Sequence, residues 1–268
     1  ILDNLPSSTV MMGVPTFYTR LLEEPKFNKF LTRDIRLFVS GSAPLLSETH
    51  KKFEAVTGHK ILERYGMTET NMNSSNPYKG ERRAGTVGYP LSGVDIKVVD
   101  LETGNNLTHN QIGMIKIKGD NVFIGYWGMK EATTESFCKD GYFLTGDLGE
   151  FSKDGYLTIV GRNKDLIISG GLNVYPKEIE LIIDRIEGVK ESAVIGIEHK
   201  DLGETVVAVI VKEDLKLNEI DIFSYLRKKL ANYKLPKKIV FIPELPRNAM
   251  GKVQKQNLRN KFSDLFIK

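Results

Sequence analysis

Ile35-Arg36-Leu37-Phe38-Val39 is an apolar run that stops at a loop of small residues, Ser40-Gly41-Ser42-Ala43-Pro44. A helix is predicted to follow, beginning near Ser47 and ending at Gly58, since serine favours helix N-termini and glycine the residue after a helix. Strand, loop and helix in this order are typical of an open α/β sheet. Ligands bind such sheets beyond the carboxyl ends of the strands, so this loop is a candidate binding segment.

Two neighbouring stretches extend the pattern. Residues 7–15 read as a buried strand entering a helix, and Ile61-Leu62 read as a further strand followed by a turn from Tyr65 to Thr70. That turn is a second candidate binding segment beyond a strand end. We therefore predict that residues 1–90 are the end of a doubly wound α/β subdomain.

The pattern changes after residue 90. Val94–Val98 and Met114–Lys118 alternate apolar and polar side chains, and glycine turns separate the short runs up to Val160. Alternation with a period of two is typical of half-buried antiparallel strands. Residues 91–163 are therefore predicted to form a small antiparallel sheet or barrel.

The remaining residues, 164–268, return to an α/β pattern. The predicted elements are a helix starting at Pro176 and stopping at Gly188, strands over 192–197 and 206–211, and a helix from Asn218 to about Leu230. The first helix has one apolar stripe, made by Ile179, Ile182, Ile183 and Ile186. This last part is predicted to be a compact domain, so the chain combines α/β and α+β architecture.

Composition narrows the class of protein. The chain has 268 residues, 41% hydrophobic and 27% charged, which suits one large soluble domain or two of moderate size. Its single cysteine, Cys138, fits a reducing compartment and excludes a cysteine-rich metal site. The four histidines lack ligand spacing: His50, His59, His109 and His199. No apolar run approaches the roughly 20 residues that span a bilayer, so no membrane association is expected.

Positive charge is concentrated near the C-terminus. From residue 164 onward there are 19 Lys and Arg against 15 Asp and Glu, whereas the first 163 residues carry 19 of each. Nucleic acid is not the expected partner, because interleaved aromatics, a recognition-helix pattern and a zinc framework are lacking. A phosphorylated small molecule is favoured. A solvated surface around Arg227-Lys228-Lys229 explains the charge equally well.

Five motifs follow one another along the chain. They are LERYGMTET at 62–70, YFLTGD at 142–147, GRNKD at 161–165, SGGLNVYPKEIE at 169–180 and LPRNAMGK at 245–252. In content and order they resemble the acyl-adenylate-forming superfamily, the acyl-CoA synthetase and luciferase-like AMP-binding enzymes. The resemblance implies a large adenylate-forming N-terminal domain, followed by a small mobile C-terminal domain at residues 164–268.

The start of the chain bears on this resemblance. It opens at Ile1 in what reads as the middle of a domain, and the glycine- and hydroxyl-rich phosphate loop of the superfamily is absent. No Walker-type sequence replaces it. We expect the chain to be the C-terminal part of a longer protein, whose missing N-terminal part would be its partner.

Lys252 is the predicted catalytic residue. Joining a carboxylate to ATP brings two anions together and builds negative charge on phosphate, so a cation must be supplied at that moment. A lysine is a compact charge on a flexible stem, and Gly251 beside it suits a loop that delivers and withdraws it. Taken alone, Lys252 reads equally as one of many surface lysines.

The resemblance carries further residues over to the nucleotide site. Thr68 and Glu69 join Lys252 as catalytic residues, and Glu69 is the expected Mg2+ ligand, since Mg2+ prefers one or two carboxylates with substrate phosphates. From the residues alone, a polar turn with a helix cap at Thr68 explains the segment as well. The implied ATP and AMP contacts are Gly41, Ser42, Ala43, Glu63, Arg64, Tyr65, Gly66, Thr68, Asp147, Arg162 and Lys252.

Two more roles are implied for the last domain. Lys164 corresponds to the hinge about which the small domain rotates between adenylation and thiol attack. Gly170 and Gly171 correspond to a loop along which the pantetheine arm of CoA runs, since two residues without Cβ allow close approach. A simple turn ending the preceding strand explains these glycines too.

Three segments narrow the substrate. Residues 13–22, 68–73 and 247–255 are more similar to malonyl-CoA synthetases than to long-chain or aryl ligases. A dicarboxylate needs a second cation in the acyl pocket, and the resemblance gives that role to Arg20. Arg20 lies about 120° from the apolar stripe of its predicted helix, which also fits a surface arginine.

The sequence therefore predicts an ATP- and Mg2+-dependent ligase that makes malonyl-CoA from malonate and CoA through malonyl-AMP. A short monocarboxylate or methylmalonate ligase, a carrier-loading adenylation module, a luciferase-like oxygenase and an inactive nucleotide-binding fragment remain as alternatives. Acetylation of Lys252 would remove its charge and is expected to abolish adenylation. The expected location is the cytoplasm, or an organellar matrix if the missing N-terminus carries a transit peptide.

Overall fold

Seven α-helices and fourteen β-strands are formed by the residues that the computed structural model describes, 1–248 and 251–266. The helices are α1 (Pro15–Glu23), α2 (Lys29–Thr32), α3 (Ser47–Thr57), α4 (Lys130–Glu135), α5 (Pro176–Ile183), α6 (Glu219–Arg227) and α7 (Lys255–Lys261). The chain divides into two compact units, Ile1–Ile159 and Val160–Lys268.

The first sheet of unit 1 has the order β1-β2-β3-β4-β5. Its strands are β1 (Val10–Gly13), β2 (Leu37–Ser40), β3 (Leu62–Met67), β4 (Asn71–Ser75) and β5 (Tyr89–Pro90). Strands β1 to β3 are parallel, and β3 to β5 are antiparallel. Tyr18 of α1, Phe38 of β2 and Phe53 of α3 are fully buried together, so helices pack on this sheet as the sequence predicts.

One local prediction is corrected here. Tyr65 lies inside β3, which continues to Met67, so the turn predicted from Tyr65 is confined to residues 68–70. The physical reason is the antiparallel pairing of β3 with β4, which extends β3 beyond the point where its apolar run stops. By contrast, α3 ends as predicted, with Gly58 in the left-handed region at φ 78°.

The second sheet of unit 1 has the order β6-β7-β8-β9. Its strands are β6 (Asp95–Val99), β7 (Gly113–Lys118), β8 (Phe143–Phe151) and β9 (Leu157–Arg162). Strand β7 pairs antiparallel with β6 and β8, and Ile96, Ile115 and Ile117 are buried on its core side. The alternation in the sequence therefore predicted an antiparallel sheet correctly.

The sheet of unit 2 is built around the long hairpin of β12 and β13. Its strands are β10 (Ile167–Ser169), β11 (Leu172–Val174), β12 (Val189–His199), β13 (Gly203–Lys212) and β14 (Lys238–Phe241). One face packs against α5 and α6. The other face packs against Leu245 and against Leu258 of α7, which places the segment before and after Lys252 on this sheet.

Unit 2 helices follow local sequence signals. Helix α5 begins at Pro176, where the missing N–H of proline costs nothing. Helix α6 is capped by Asn218, whose side chain accepts a hydrogen bond from the Asp221 N–H at 3.1 Å. It ends at Arg227, three residues before the predicted end, although Leu230 is still buried. Among the described residues, no helix is long and apolar enough to cross a membrane.

Candidate active site

The centre of the site in unit 1 is the hairpin formed by β3 and β4. Gly66 is required there, because a Cβ at this position would lie 2.1 Å from the backbone oxygen of Asn71. The preceding residue, Tyr65, donates its hydroxyl hydrogen to Asp147 Oδ2 at 2.5 Å. Both side chains are buried, so two motifs that are 82 residues apart in sequence meet in one hydrogen bond.

Asp147 lies in an irregular stretch of β8, where residues 145–147 bulge from the pairing with β7. Its N–H donates to Thr145 Oγ1 at 3.0 Å, and that hydroxyl donates to the carbonyl oxygen of Ile115 at 2.8 Å. Gly146 has φ 71°, a left-handed value that favours glycine. The threonine, glycine and aspartate of the YFLTGD motif therefore each have a structural reason to occupy their positions.

Glu69 lies at the tip of the same hairpin and is partly exposed. Its Oε1 accepts a hydrogen bond from the Tyr126 hydroxyl at 3.1 Å, and its backbone oxygen accepts one from the Phe123 N–H at 2.7 Å. Burial and the Glu69 charge raise the pKa of Tyr126, so Tyr126 remains a neutral donor. Thr68, beside Glu69, is exposed.

Glu69 fits the Mg2+ role implied by the sequence. Among the described residues, its carboxylate accepts a hydrogen bond from the Tyr126 hydroxyl alone, at Oε1, and Oε2 faces no other donor. Among residues 1–248 and 251–266, no cluster of three or more His, Cys, Asp or Glu could hold a metal alone. One carboxylate with substrate oxygens is the arrangement that Mg2+ prefers.

Arg64 and Gly41 meet beside this hairpin. Gly41 is buried, and a Cβ there would lie 3.2 Å from Arg64 Cζ, so the guanidinium packs directly over the glycine. Arg64 Nη1 lies 2.9 Å from the sulfur of Met72, and Nη2 lies 3.4 Å from that of Met12. Arg64 has no acidic partner within the described part of the chain. Ser42, with φ 67°, and Ala43 are exposed in the loop.

Glu63 supports β3 from inside the core. It is 5% exposed, and its Oε1 lies 3.0 Å from His50 Nδ1 and accepts from the Gly85 N–H at 3.1 Å. Burial is the main reason that the pKa of Glu63 is raised, and these hydrogen bonds oppose the rise. The sequence assigned Glu63 to nucleotide binding, whereas its carboxylate is used to join β3 to α3 and to the loop at Gly85.

Arg20 is exposed on the last turn of α1. Tyr18 and Leu21 form the buried side of that helix, which agrees with the predicted stripe. Arg20 has no hydrogen bond or ion pair with another described residue. Its guanidinium therefore remains available to an anion.

The hinge motif opens unit 2. Arg162, the last residue of β9, is exposed, and so is Lys164 in the short 3-10 helix Asn163–Asp165. Asp165 accepts from Arg259 Nη2 at 2.5 Å, which fixes it to α7. The exposed Lys164 is therefore followed by an anchored residue.

Gly170 and Gly171 form the two-residue turn between β10 and β11, whose ends pair Ser169 with Leu172. Their φ values, 57° and 78°, are both left-handed. Two successive positive values are typical of the tight turns that glycine favours in hairpins. The turn requirement therefore explains both glycines, and their exposed backbone leaves room for a ligand.

Lys252 lies in a narrow loop after β14. Its N–H donates to Asn248 Oδ1 at 2.9 Å, and its carbonyl accepts from the Asn248 N–H at 3.0 Å. Its side chain is exposed. Ala249 and Met250 of the LPRNAMGK motif lie outside the described residues.

Comparison with known proteins assigns the chain to a family. Residues 7–127 match the AMP-binding enzyme family, and residues 178–252 match the AMP-binding enzyme C-terminal domain. The chain belongs to the AMP-binding enzyme family. The sequence resemblance is thereby confirmed.

Relatives of this AMP-binding enzyme include acid–CoA ligases. It is 41% identical to the malonate–CoA ligase of Arabidopsis thaliana, over 94% of this chain and 44% of the relative. It is 36% identical to a long-chain-fatty-acid–CoA ligase of Yersinia pestis, over 94% of this chain and 45% of the relative. The crystal structure of ATP-bound MatB from Rhodopseudomonas palustris matches with a TM-score of 0.97 at 55% identity, over 99% of this chain and 53% of that chain. This match confirms the mixed α/β fold class, and the chain spans about half the length of these relatives.

Sequence reasoning missed two side-chain contacts of the predicted site residues. Tyr126, which holds Glu69, lies in the segment Ile124-Gly125-Tyr126-Trp127 between β7 and α4. His50 was treated as one of four scattered histidines, yet it is buried against Glu63. An aromatic hydroxyl beside a glycine was a usable signal for the first. No sequence signal predicted the His50 contact, because a single histidine on a helix does not reveal its tertiary partner.

Proposed function

We propose that the full-length protein is an AMP-forming acid–CoA ligase that converts malonate, ATP and CoA to malonyl-CoA, AMP and pyrophosphate. Support comes from the relatives named malonate–CoA ligase and long-chain-fatty-acid–CoA ligase, and from the grouping of Tyr65, Asp147 and Glu69 in unit 1. Because the chain spans about half of these relatives, the activity is proposed for the protein as its gene encodes it.

The reaction has two balanced steps. A carboxylate oxygen of the acid attacks the α-phosphorus of ATP, the bond to the bridging oxygen breaks, and pyrophosphate leaves. The thiol sulfur of CoA then attacks the acyl carbon of the mixed anhydride, loses its proton, and AMP leaves with the oxygen that came from the acid. The first step gathers negative charge on phosphate, so it depends on cations that are positioned in advance.

Each side chain has a role in this proposal. Lys252 brings its ammonium to the carboxylate and phosphate oxygens during the first step. Asp147, oriented by Tyr65, accepts hydrogen bonds from the ribose hydroxyls, and Arg162 donates to ribose or phosphate. Glu69 would hold Mg2+, which when bound neutralises phosphate charge.

The single observation that favours a dicarboxylate is the environment of Arg64. Its half-buried guanidinium contacts two thioether sulfurs and no carboxylate among the described residues. A partly buried cation without an anion is unfavourable, so a bound carboxylate would stabilise it. An Arg fork binds a carboxylate through two parallel hydrogen bonds, and this suits the free end of malonate. We propose this contact for Arg64 in place of the nucleotide contact that the resemblance implies, and add it to Arg20 as a candidate for binding the second carboxylate.

The test is CoA-dependent AMP formation across malonate, methylmalonate, acetate, propionate and a medium-chain fatty acid. Arg64→Met and Arg20→Ala are each expected to reduce kcat/KM for malonate by 100-fold or more. This is the scale of a lost charged contact, about 3 kcal/mol. The kcat/KM for acetate should not change. Arg36→Met is the matched control, because the Arg36 side chain is exposed on unit 1 and its Nη1 donates to the Tyr78 hydroxyl at 3.4 Å.

The outcomes separate the candidates. Preference for malonate that is lost in either variant supports the dicarboxylate pocket. Preference for a monocarboxylate keeps the ligase reaction and discards both arginines. That second candidate is favoured by the long-chain ligases among the relatives. Absence of AMP with every acid contradicts the proposed reaction.

A further inference from the structure

We infer that Arg247 and Lys255 are positioning residues that clamp both ends of the Lys252 loop and leave Lys252 as its substrate-directed cation. The inference rests on the proposed function, because it concerns the first half-reaction. All of the contacts lie within unit 2. We call the two ion pairs, Arg247–Glu191 and Lys255–Glu180, the loop clamp.

The loop is closed as a narrow hairpin. Arg247 and Val253 form an isolated antiparallel bridge, and the Gln254 N–H donates to the Pro246 carbonyl at 2.8 Å. Gly251 has φ 76°, and its N–H donates to the Asn248 carbonyl at 2.8 Å. Lys252 follows Gly251 directly, so the direction of its side chain depends on how this glycine turn is held.

Arg247 holds the turn from one side. Its Nη1 donates to the carbonyl oxygen of Gly251 at 2.6 Å, and its Nη2 is paired with the Glu191 carboxylate on β12. The Gly251 carbonyl belongs to the peptide bond that joins Gly251 to Lys252. One planar guanidinium therefore ties the peptide plane before Lys252 to β12, the strand that pairs with β13 along the long hairpin.

Lys255 holds the other end. It is the first residue of α7, and its Nζ lies 2.6 Å from Glu180 Oε1 on α5. Glu180 is 6% exposed and also accepts a hydrogen bond from the Val194 N–H of β12 at 2.9 Å. The anchor is therefore a buried carboxylate that is itself fixed to the same strand, β12, that carries Glu191.

The loop clamp leaves the three cations of the segment in different environments. Arg247 and Lys255 are each neutralised by a carboxylate, whereas Lys252 is exposed and has no acidic partner among residues 1–248 and 251–266. Without these ion pairs, all three cations of the loop could compete for the same phosphate. Because two of them are paired with glutamates, only the Lys252 charge is directed to the substrate. The same pairs fix the backbone from which the Lys252 side chain extends.

The first test uses Arg247→Lys, Arg247→Ala and Glu191→Gln in the full-length protein. Lysine keeps the charge of Arg247 but cannot donate to Gly251 and Glu191 through one rigid fork. The expected result is a fall in kcat for malonate-dependent ATP–pyrophosphate exchange, on the order of 100-fold for Arg247→Ala, since small misplacements of catalytic groups have effects of this size. KM for ATP should change by no more than about twofold, because the nucleotide contacts are intact.

The second half-reaction provides the internal control. Thioester formation from a chemically prepared malonyl adenylate and CoA should stay within about twofold of the wild type, since Lys252 acts only in the first step. Glu219→Gln is the matched control variant, because Glu219 forms an exposed ion pair with Lys238 elsewhere in unit 2, at 3.3 Å. Equal loss in both half-reactions would indicate a general structural defect and overturn the inference. Wild-type exchange in Arg247→Ala would overturn it as well.

Amide hydrogen exchange separates this inference from the proposed function. The N–H groups of Lys252 and Gln254 are hydrogen-bonded within the loop, so both should exchange at least tenfold faster in Arg247→Ala and no faster in Glu219→Gln. If the wild type catalyses no ATP–pyrophosphate exchange with any acid, the proposed function fails. The hydrogen-exchange rates still show whether Arg247 holds the loop. Unchanged protection of both amides would overturn the clamp in either case.

Discussion

Tyr65 and Asp147 show how a single hydrogen bond joins two sequence motifs. The Tyr65 hydroxyl donates to the Asp147 carboxylate, which is only 4% exposed. A buried carboxylate that loses a donor keeps its desolvation penalty. The geometry of Asp147 therefore depends on a residue to which the sequence resemblance assigns a nucleotide contact of its own.

Tyr65→Phe tests this dependence. We expect the free energy of unfolding to fall by about 2 kcal/mol, the scale of a lost hydrogen bond to a charged group, and KM for ATP to rise about tenfold because Asp147 is no longer oriented. Urea titration and initial-rate kinetics would measure the two effects. Tyr156→Phe is the control, since its buried hydroxyl donates to the Glu81 carbonyl at 2.9 Å outside the site. It should lower stability without changing KM for ATP.

Asp184 gives unit 2 a pH-dependent contribution to stability. Burial raises the pKa of Asp184 from 3.8 to about 6, although the Ser192 hydroxyl donates to it at 2.6 Å. Between these two values the folded state binds the proton more tightly than the unfolded state, so stability falls as the pH rises from 4 to 6. The contribution is fully present below the unfolded pKa and lost above the folded one.

Asp184→Asn should remove this dependence. Asparagine keeps an acceptor for Ser192 and has no charge to bury, so the variant should be about 2 kcal/mol more stable than the wild type at pH 7 and equal to it near pH 4. Thermal unfolding at a series of pH values would measure it. Asp201→Asn, at an exposed position, should leave the profile unchanged. If the wild type became more stable relative to Asp184→Asn between pH 4 and 6, the raised pKa of Asp184 would be wrong.

At the scale of elements, the β3–β4 hairpin places the site residues. The apolar run at Ile61-Leu62 predicted a strand, but its continuation to Met67 depends on pairing with β4, which local propensity does not encode. The same limit applies to β12 and β13, which extend beyond the predicted 192–197 and 206–211 because each is the partner of the other. The helix starts at Pro176 and Asn218 and the stop at Gly58 were easier to predict, because these residues act locally, whereas α5 ends at Ile183, before the predicted stop at Gly188.

Gly66→Ala tests the hairpin. Its Cβ would lie 2.1 Å from the Asn71 backbone oxygen, so the two strands must separate, at a cost of about 2–3 kcal/mol. The shift should also displace Glu69, so AMP formation should fall at least tenfold and need more Mg2+ for half-maximal rate. Gly93→Ala is the control: Gly93 lies in the turn before β6, at φ 80°, where alanine is strained, but a Cβ there meets no atom within 4 Å, so this variant should lose stability and keep its activity. Equal losses of activity in both variants would contradict the steric explanation.

Site residues differ in how far the sequence could predict them. The five motifs predict roles for Lys252, Asp147 and Glu69, because the content and order of these motifs are distinctive, and these roles stay predictions. The sequence could not reveal that Glu63 is committed to His50, or that Arg247 is committed to Gly251 and Glu191. Such contacts depend on which side chains the tertiary fold brings together, and no local pattern records them.

At the scale of the whole molecule, the chain has two units that meet in sequence near the GRNKD motif. In the proposed function, Lys164 is the hinge that allows the small domain to serve two half-reactions. Lys164 lies in a short 3-10 helix and is exposed, so its side chain does not restrict rotation of the backbone. This role is a proposal that kinetics can separate from catalysis.

Lys164→Pro should restrict the hinge. Proline fixes φ at position 164 and restricts Asn163 before it, so the conformational change between half-reactions should be impaired. We expect thioester formation from a prepared acyl adenylate to fall at least tenfold while ATP–pyrophosphate exchange stays within about threefold. Lys164→Ala, which changes the side chain without fixing φ, should retain both. Loss of both half-reactions in the proline variant would indicate misfolding instead of a hinge.

The central claim is that the full-length protein activates an acid as its adenylate. The most direct measurement uses malonate labelled with 18O in its carboxylates, incubated with ATP, Mg2+ and CoA, followed by mass analysis of the nucleotide product. The account predicts AMP that carries one 18O atom, because the attacking oxygen stays on phosphorus when the thiol displaces AMP. Formation of ADP, or of AMP without the label, would contradict it.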